Sequence, residues 1–435
     1  MPKARSKNVF LFNYILVFIA TLINTNITAQ QFSKEDILSD LDYLKSSLEN
    51  VHFSLYANTT KESFNQNFVE VRNQVKKDSF SILEVTNLFQ RVVAKSNNAH
   101  TRILYPVKSY LNFAQSGGVV FPLEVSIENG KVLVRKNWST NSSIKLGAEL
   151  SSINGIPINK VLNKIYPQIS GERLYIKNSQ LELFSLPRYY WLVFGEQKEF
   201  QVEIVQNSSL SVQRLLAIKA IDDYEMKRDD IQKNYSSLKY YPNTTAYLLP
   251  GPFGGDLNKF KQYIDSSFVD INAKKIENLI IDLRDNGGGN EPFSDYLISY
   301  IADKPFKWSS KFELKTSAIL KESVRKNQDT TKAYWKSILT HKNGTTYEYD
   351  FGFYEPKPQK KRFQGNVYVL VNRQSFSQSA VTAALVQDYG FGLIVGEETA
   401  EYPTLYASIF NYSLPKTGIT VGVSKGKITR INGIE

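Results

Sequence analysis

Three serines crowd the segment Gln374-Ser375-Phe376-Ser377-Gln378-Ser379-Ala380, between an apolar run and a stretch of small residues. A serine at the start of a helix sits at its positive end, where loop N–H groups can hold an oxyanion, so acyl transfer is one reading. Helix capping is the plainer one, since serine is a favoured N-cap. A nucleophilic serine needs a base. The chain has only three histidines, His52, His100 and His341. His52 ends an amphipathic stretch and reads as packing, and His341 sits in a polar loop and reads as surface. His100, in the turn Asn97-Asn98-Ala99-His100-Thr101, is the best candidate base.

The third feature is Asp285-Asn286-Gly287-Gly288-Gly289, directly after the apolar run Leu279–Arg284. Glycines there permit positive φ and expose backbone N–H groups, which suits an anion or an oxyanion. A phosphate-cradling loop is the rival, but no Lys-Ser/Thr follows and no GxGxxG is present. Metal hydrolysis is not expected: there is no HExxH, and three scattered histidines make a poor zinc set. No cofactor is expected.

The elements that must position these residues follow from periodicity. Residues 33 to 95 read as helices, opened by Ser33 and Asp36 as a capping box, with apolar stripes such as Leu41, Leu44, Leu48 and Phe64, Phe68, Val71. From 116 to 206 the pattern turns to strands: Phe121–Ile127, Lys131–Arg135 after an Asn-Gly turn, Gly147–Gly155 and Phe200–Val205. Residues 207 to 245 are polar and read as a connection. Beyond 246 buried-type strands (279–284, 366–372, 393–395) alternate with a helix over 377–389, which predicts a layered α/β sheet.

Composition excludes several classes. The 435 residues contain no cysteine, so neither a disulfide scaffold nor a thiolate metal site is available. Hydrophobic content of 42% is too high for a disordered chain. The net charge of +11 is spread over scattered Lys and Arg with no nucleic-acid motif, and reads as a solvated surface. Lys3, Arg5 and Lys7, then the apolar stretch Val9–Ile23 and Ala29, form a secretory signal over residues 1–29. No other run is long and apolar enough for a span, so no membrane span is expected after cleavage.

Taken together, these blocks resemble the C-terminal-processing (tail-specific) peptidase family, the S41 serine peptidases. Residues 279–289 are similar to its D-x-R-x-N-x-G-G signature. Val367–Thr399 resembles its nucleophile segment, Asn98–Thr101 its D-G-H-T turn, and 147–155 a PDZ-like module ending in I-N-G. The resemblance implies a crotonase-like α/β core, an N-terminal helical part over 30–115, a PDZ-like domain over 116–206 and a catalytic core over 207–435. Aligned on Gln387-Asp388-Tyr389-Gly390, it places the nucleophile on Ser377 and the oxyanion hole on the N–H groups of Gly288 and Gln378. The lysine base of one branch would fall on Tyr402, so the chain looks like the Ser/His, tricorn-like branch with His100 as base. Glu435 is the expected third member. Relatives continue past that point into a P-D-containing strand, so a core cut short at the C-terminus is expected. Ala400-Glu401 replaces the usual Gly-Gly.

The expected function is a serine endopeptidase acting on peptide or protein substrates in the bacterial cell envelope, periplasmic or secreted. The alternative is an inactive S41-like protein that binds peptides or ligands.

Overall fold

The computed structural model describes residues 31–229, 231–232 and 234–434. The expected leader over 1–29 and Glu435 lie outside the described residues. Among the described residues no helix is long and apolar enough to cross a membrane.

Three large apolar cores and one small one organise the described residues, and the first explains how distant residues meet. Helices Lys34–Val51, Lys61–Arg72 and Ile82–Ala94 pack through Ile37, Leu41, Phe64, Phe68, Val85 and Phe89. The Ser81/Glu84 capping box starts the third of these helices. The same core contains Tyr412, Leu414, Ile419, Val421 and Val423 from the far end of the chain. Buried Asp40 locks this union. Its carboxylate accepts the N–H groups of Lys416 (3.0 Å) and Thr417 (2.7 Å) and the Thr417 hydroxyl (2.7 Å). The helices between residues 34 and 94 are thus fastened to the hairpin of strands Leu405–Ser413 and Thr420–Thr429, and strand Arg102–Ile103 pairs with that hairpin's second strand.

A second core lies inside a β-rich module. Strands Leu123–Glu128, Lys131–Asn137, Glu149–Ile153 and Glu199–Gln206 appear near their expected places. Two expectations need correction. The 207–245 segment is not a mere connection: Ser209–Leu216 pairs along its full length with Glu199–Gln206 through the Asn207-Ser208 turn. Its polarity arises because it is an edge strand with one face in water. The module is also not all strand. Helices Ile158–Ile165, Leu174–Phe184 and Leu186–Phe194 cover the sheet, and their apolar faces supply Val161, Leu181 and Trp191 to the core. Arg373 ties this module to the rest through the carboxylates of Glu128 (2.7 Å), Glu182 (3.1 Å) and Glu397 (2.8 Å).

The third core surrounds a five-stranded sheet of Ser237–Tyr241, Thr245–Leu249, Asn278–Asp282, Asn366–Val371 and Leu393–Gly396, in that order. Its first pair is antiparallel and the rest parallel. Helices such as Leu257–Ala273 and Gln378–Tyr389 cover it, giving the layered α/β arrangement expected from alternation. In a parallel sheet, loops after strand C-termini gather at one edge. The glycine loop after Asp282 and the serine loop after Val371 follow adjacent strands, so topology alone makes them neighbours.

One buried acid in this core carries a pH signature. Asp295, on helix Glu291–Ile298, is 3% exposed. Burial, and then the Glu291 charge, push its carboxyl up to about 8. The folded state therefore keeps a proton that the unfolded chain releases near pH 4. Stability from this group is full below that pH and is lost as pH rises towards 8. Asp295→Asn is expected to raise Tm at pH 8 and to lose most of that gain at pH 5, measured by thermal unfolding at both values.

Candidate active site

The three serines of 375–379 separate by their surroundings. Ser375 is fully buried: its hydroxyl donates to the Leu283 carbonyl (2.7 Å) and accepts the Asn372 N–H (3.1 Å), so it ties the serine loop to the glycine loop. Ser379 is also fully buried inside the helix. Ser377 is half-buried and sits at φ 55°, ψ −126°, just before helix Gln378–Tyr389. It occupies the N-cap position, yet its hydroxyl makes no capping bond. A β-carbon-bearing residue at positive φ is strained, and strain of this kind concentrates where a side chain must be aimed. The capping reading therefore fails at Ser377, because the backbone there is not in the extended form a cap requires.

The glycine loop closes against it. Asp285 (φ 62°) turns the chain, and Asn286 pins it: its Nδ2 donates to the Gly251 carbonyl (3.0 Å) and its own carbonyl accepts the Phe376 N–H (3.0 Å). Gly288 lies directly against the serine. A β-carbon there would stand 2.5 Å from the Phe376 carbonyl oxygen, 2.7 Å from the Gln378 nitrogen and 2.9 Å from the Ser377 Cβ. The Gly288 N–H donates to Asn286 Oδ1 at 2.9 Å, so an oxyanion would have to take over that bond. Gln378, the first residue of its helix, has an N–H with no intrahelical acceptor.

Gly288→Ala gives a direct prediction. The substitution meets backbone atoms at φ +81°, so it is expected to lower Tm and to cut reaction with an active-serine probe more than tenfold. Gly130→Ala is the control: φ is +78° but no atom lies within 4 Å, so only the few-kcal strain is felt and probe reaction is unchanged.

His100 arrives from the other end of the chain. Asn97, at φ 48°, opens its turn. Asn98 Oδ1 accepts the Ser424 hydroxyl (2.7 Å) and the Thr101 hydroxyl (2.9 Å), while its Nδ2 donates to the Tyr406 carbonyl (3.1 Å) and to Glu172 Oε1 (3.0 Å). The imidazole is 4% exposed and stacks on Phe376, the residue before Ser377, at 4.8 Å between ring centres. Its Nε2 lies 2.7 Å from Glu401 Oε1, a close contact without the alignment of a hydrogen bond. The other Glu401 oxygen accepts the Ser377 N–H at 2.6 Å. One buried carboxylate thus touches both the histidine and the backbone of the serine. Among the described residues the Ser377 hydroxyl itself makes no hydrogen bond.

Glu401 and Glu172 escaped the sequence reading. Glu401 drew notice only as a substitute for glycine, in a run of acids (Glu397-Glu398-Thr399-Ala400-Glu401) with no local sign that its carboxylate turns inward. Glu172 accepts the Ala99 N–H at 3.1 Å, and desolvation, then the neighbouring Glu401 charge, hold its carboxyl above the usual range. The next residue, Arg173, donates to the carbonyls of Ala400 (2.9 Å) and Thr399 (2.7 Å), which fixes the loop carrying Glu401. Its guanidinium also covers the ring of exposed Tyr402, so the position of a lysine base in one branch holds a stacked aromatic instead.

The remaining histidines stay apart from the serine. His52 is buried, accepts the Ser54 N–H on Nδ1, and is pushed down to about 3 chiefly by burial, so it is a neutral packing residue as expected. His341 stacks on Tyr347 at 3.6 Å. No group of three or more His, Asp or Glu among the described residues could hold a metal.

An uncapped strained serine, a free helix N-terminal N–H and a buried imidazole–carboxylate contact supply the raw material for acyl transfer, the chemistry of serine hydrolases. Sequence comparison agrees on the class: residues 252–433 match Peptidase family S41. Over that stretch, somewhat under half of its length, the chain is similar to the S41 serine peptidases. The matched segment holds Gly288, Ser377, Gln378 and Glu401, while His100 lies before it. Comparison with curated proteins finds no match. Among solved structures the chain is similar to mature CPAF complexed with lactacystin (16% identity, 92% of this chain and 91% of that one, TM-score 0.64). It is also similar to a serine-to-alanine mutant of CPAF (15%, 92% and 90%, TM-score 0.65). The photosystem II D1 C-terminal processing protease matches at 16% identity over 92% and 90%, with a TM-score of 0.45. The two CPAF likenesses show a fold shared over 92% of the chain.

Proposed function

We propose that the protein is an exported serine endopeptidase of the bacterial envelope in which Ser377 is the nucleophile and His100 the base. The carrying observation is Glu401, whose two oxygens meet His100 Nε2 at 2.7 Å and the Ser377 N–H at 2.6 Å. That carboxylate, and not the expected Glu435, is the orienting group in this reading. His100 takes the Ser377 proton as Oγ attacks the peptide carbonyl, and the imidazolium that forms is stabilised by Glu401. The carbonyl electrons move to oxygen, which the N–H groups of Gln378 and Gly288 receive, Gly288 exchanging its bond to Asn286. Collapse of the intermediate expels the amine, protonated by His100. Water, deprotonated by the same histidine, then releases the acyl group.

The fold reading extends to a crotonase-like core and a PDZ-like module that receives an extended peptide along an open sheet edge. Export rests on the signal-like residues 1–29.

Fluorophosphonate labelling of the purified chain, with the modified peptide mapped by mass spectrometry, tests the assignment. Label on Ser377, reduced by prior exposure to lactacystin and absent from Ser377→Ala, is the expected result. Label on another serine, or none on a chain with a cooperative thermal transition, would overturn it.

A further inference from the structure

Two residues beyond His100, the chain enters a cavity that the peptidase reading does not use. It has a volume of about 180 Å³ and lies between helix Ile82–Ala94, the 99–106 segment and the helices of the β-rich module. Its walls are mixed: Ile103, Ile169 and Leu192 are apolar, and Arg102, Tyr105 and Gln168 are polar.

The polar groups are left without partners. Arg102 is half-buried, and among the described residues its guanidinium makes no hydrogen bond or ion pair. The groups whose charge acts on it are Tyr189, in the same cavity wall, and then Glu401, whose two oxygens are committed to His100 and Ser377. Burial pulls the Arg102 pKa down from its ordinary value, against the opposing effects of Tyr189 and Glu401. Among the described residues the Tyr105 hydroxyl is buried with no hydrogen-bond partner, and so is Gln168 Oε1. A buried polar group costs about 1–3 kcal/mol when unpaired, so a cavity wall with two such groups and a free guanidinium is unusual. Each has one obvious complement. Arg102 and Tyr105 donate and so call for an anion with two acceptor oxygens. Gln168 Oε1 accepts and so calls for an N–H. The apolar walls call for a short hydrocarbon body.

We infer that this cavity is a binding site for an N-acyl amino acid carboxylate, with Arg102 and Tyr105 on the carboxylate, Gln168 on the amide N–H, and the side chain against Ile103, Ile169 and Leu192. The same chemistry is offered by a free small acid and by the end of a peptide. Ser377 does not line the cavity, so occupancy of the cavity is read separately from the proposed catalysis.

Calorimetric titration of the full chain with N-acetyl-leucine tests this. Saturable binding is expected, with N-acetyl-leucinamide failing because it lacks the charge. 4-Methylpentanoate, which lacks the N–H, should bind several-fold more weakly. Arg102→Gln should weaken N-acetyl-leucine by about tenfold or more, as expected for a bond to a charged group. Tyr105→Phe, which removes one unpaired hydroxyl and leaves the ring, should weaken it about two- to tenfold and serves if Arg102→Gln does not fold. Ser377→Ala should bind equally well, so loss of activity and loss of binding read separately. Ac-Ala-Ala-Ala-Leu with a free or amidated end, titrated into Ser377→Ala, distinguishes the sources. Binding of the free-ended peptide assigns the site to peptide termini, and binding of N-acetyl-leucine alone assigns it to small acids. No saturable heat at millimolar ligand, which is what a cavity filled by a few waters would give, overturns the inference. So does binding indifferent to amidation or to both variants.

Discussion

Ser377→Ala is expected to abolish fluorophosphonate labelling and to lower peptide hydrolysis by about 10⁴- to 10⁶-fold, the scale on which nucleophile removal acts. Stability should move by less than about 0.5 kcal/mol. Both expectations come from the same observation. Among the described residues the hydroxyl makes no hydrogen bond, so its loss leaves nothing unpaired, and alanine inherits the same strained φ of 55°. Ser375→Ala should behave in the opposite way. Its hydroxyl is fully buried and joins the Leu283 carbonyl to the Asn372 N–H, so its loss should cost about 1–3 kcal/mol. Labelling should persist below the new Tm. Active-serine labelling and thermal unfolding on the two variants together decide which serine is chemical and which is structural. A stable, labelled Ser377→Ala would end the assignment.

Glu401→Gln is expected to reduce kcat by about 10²- to 10⁴-fold with KM nearly unchanged, as for loss of the carboxylate in a serine triad. The amide keeps the size of the side chain and can still accept the Ser377 N–H, so the fold survives. What it loses is the charge 2.7 Å from His100 Nε2, which stabilises the imidazolium only while that ion exists. An interaction made in the transition state and not with the bound substrate appears in kcat. Glu172→Gln is the informative contrast. Glu172 is desolvated beside Glu401, which holds its carboxyl up, and its Oε1 accepts two N–H bonds that glutamine can also accept. It should keep near-normal kcat. Glu435→Gln separates the two candidate orienting acids: equal loss at Glu435 and none at Glu401 would return the role to the expected residue. Steady-state kinetics on one peptide substrate, with all three variants, make the comparison.

The local elements were legible because their signals are local. Apolar stripes at helical spacing marked the helices before residue 95, and continuous β-branched runs marked the parallel strands at 279 and 366, whose observed bounds differ by one or two residues. The strand at 209–216 was missed because an edge strand alternates with polar residues and looks like a loop. The helices of the β-rich module were missed because turn signals on either side of them suggested strands throughout.

For the site, the residue types singled out His100 and left the three serines and the glycine loop open; the resemblance to the S41 peptidases, carried by four blocks in order, is what pointed to Ser377, Gly288 and Gln378. Packing decided the rest. Only the folded chain distinguishes Ser377 from Ser375 and Ser379 by hydrogen bonding. Only it shows that the Gly288 N–H already has an acceptor in Asn286, and that the carboxylate on His100 belongs to Glu401. The reason is distance along the chain. His100 and Glu401 are brought together because the first helices and the last strands share one apolar core, locked by Asp40, and a contact across three hundred residues leaves no period or motif in the sequence that makes it.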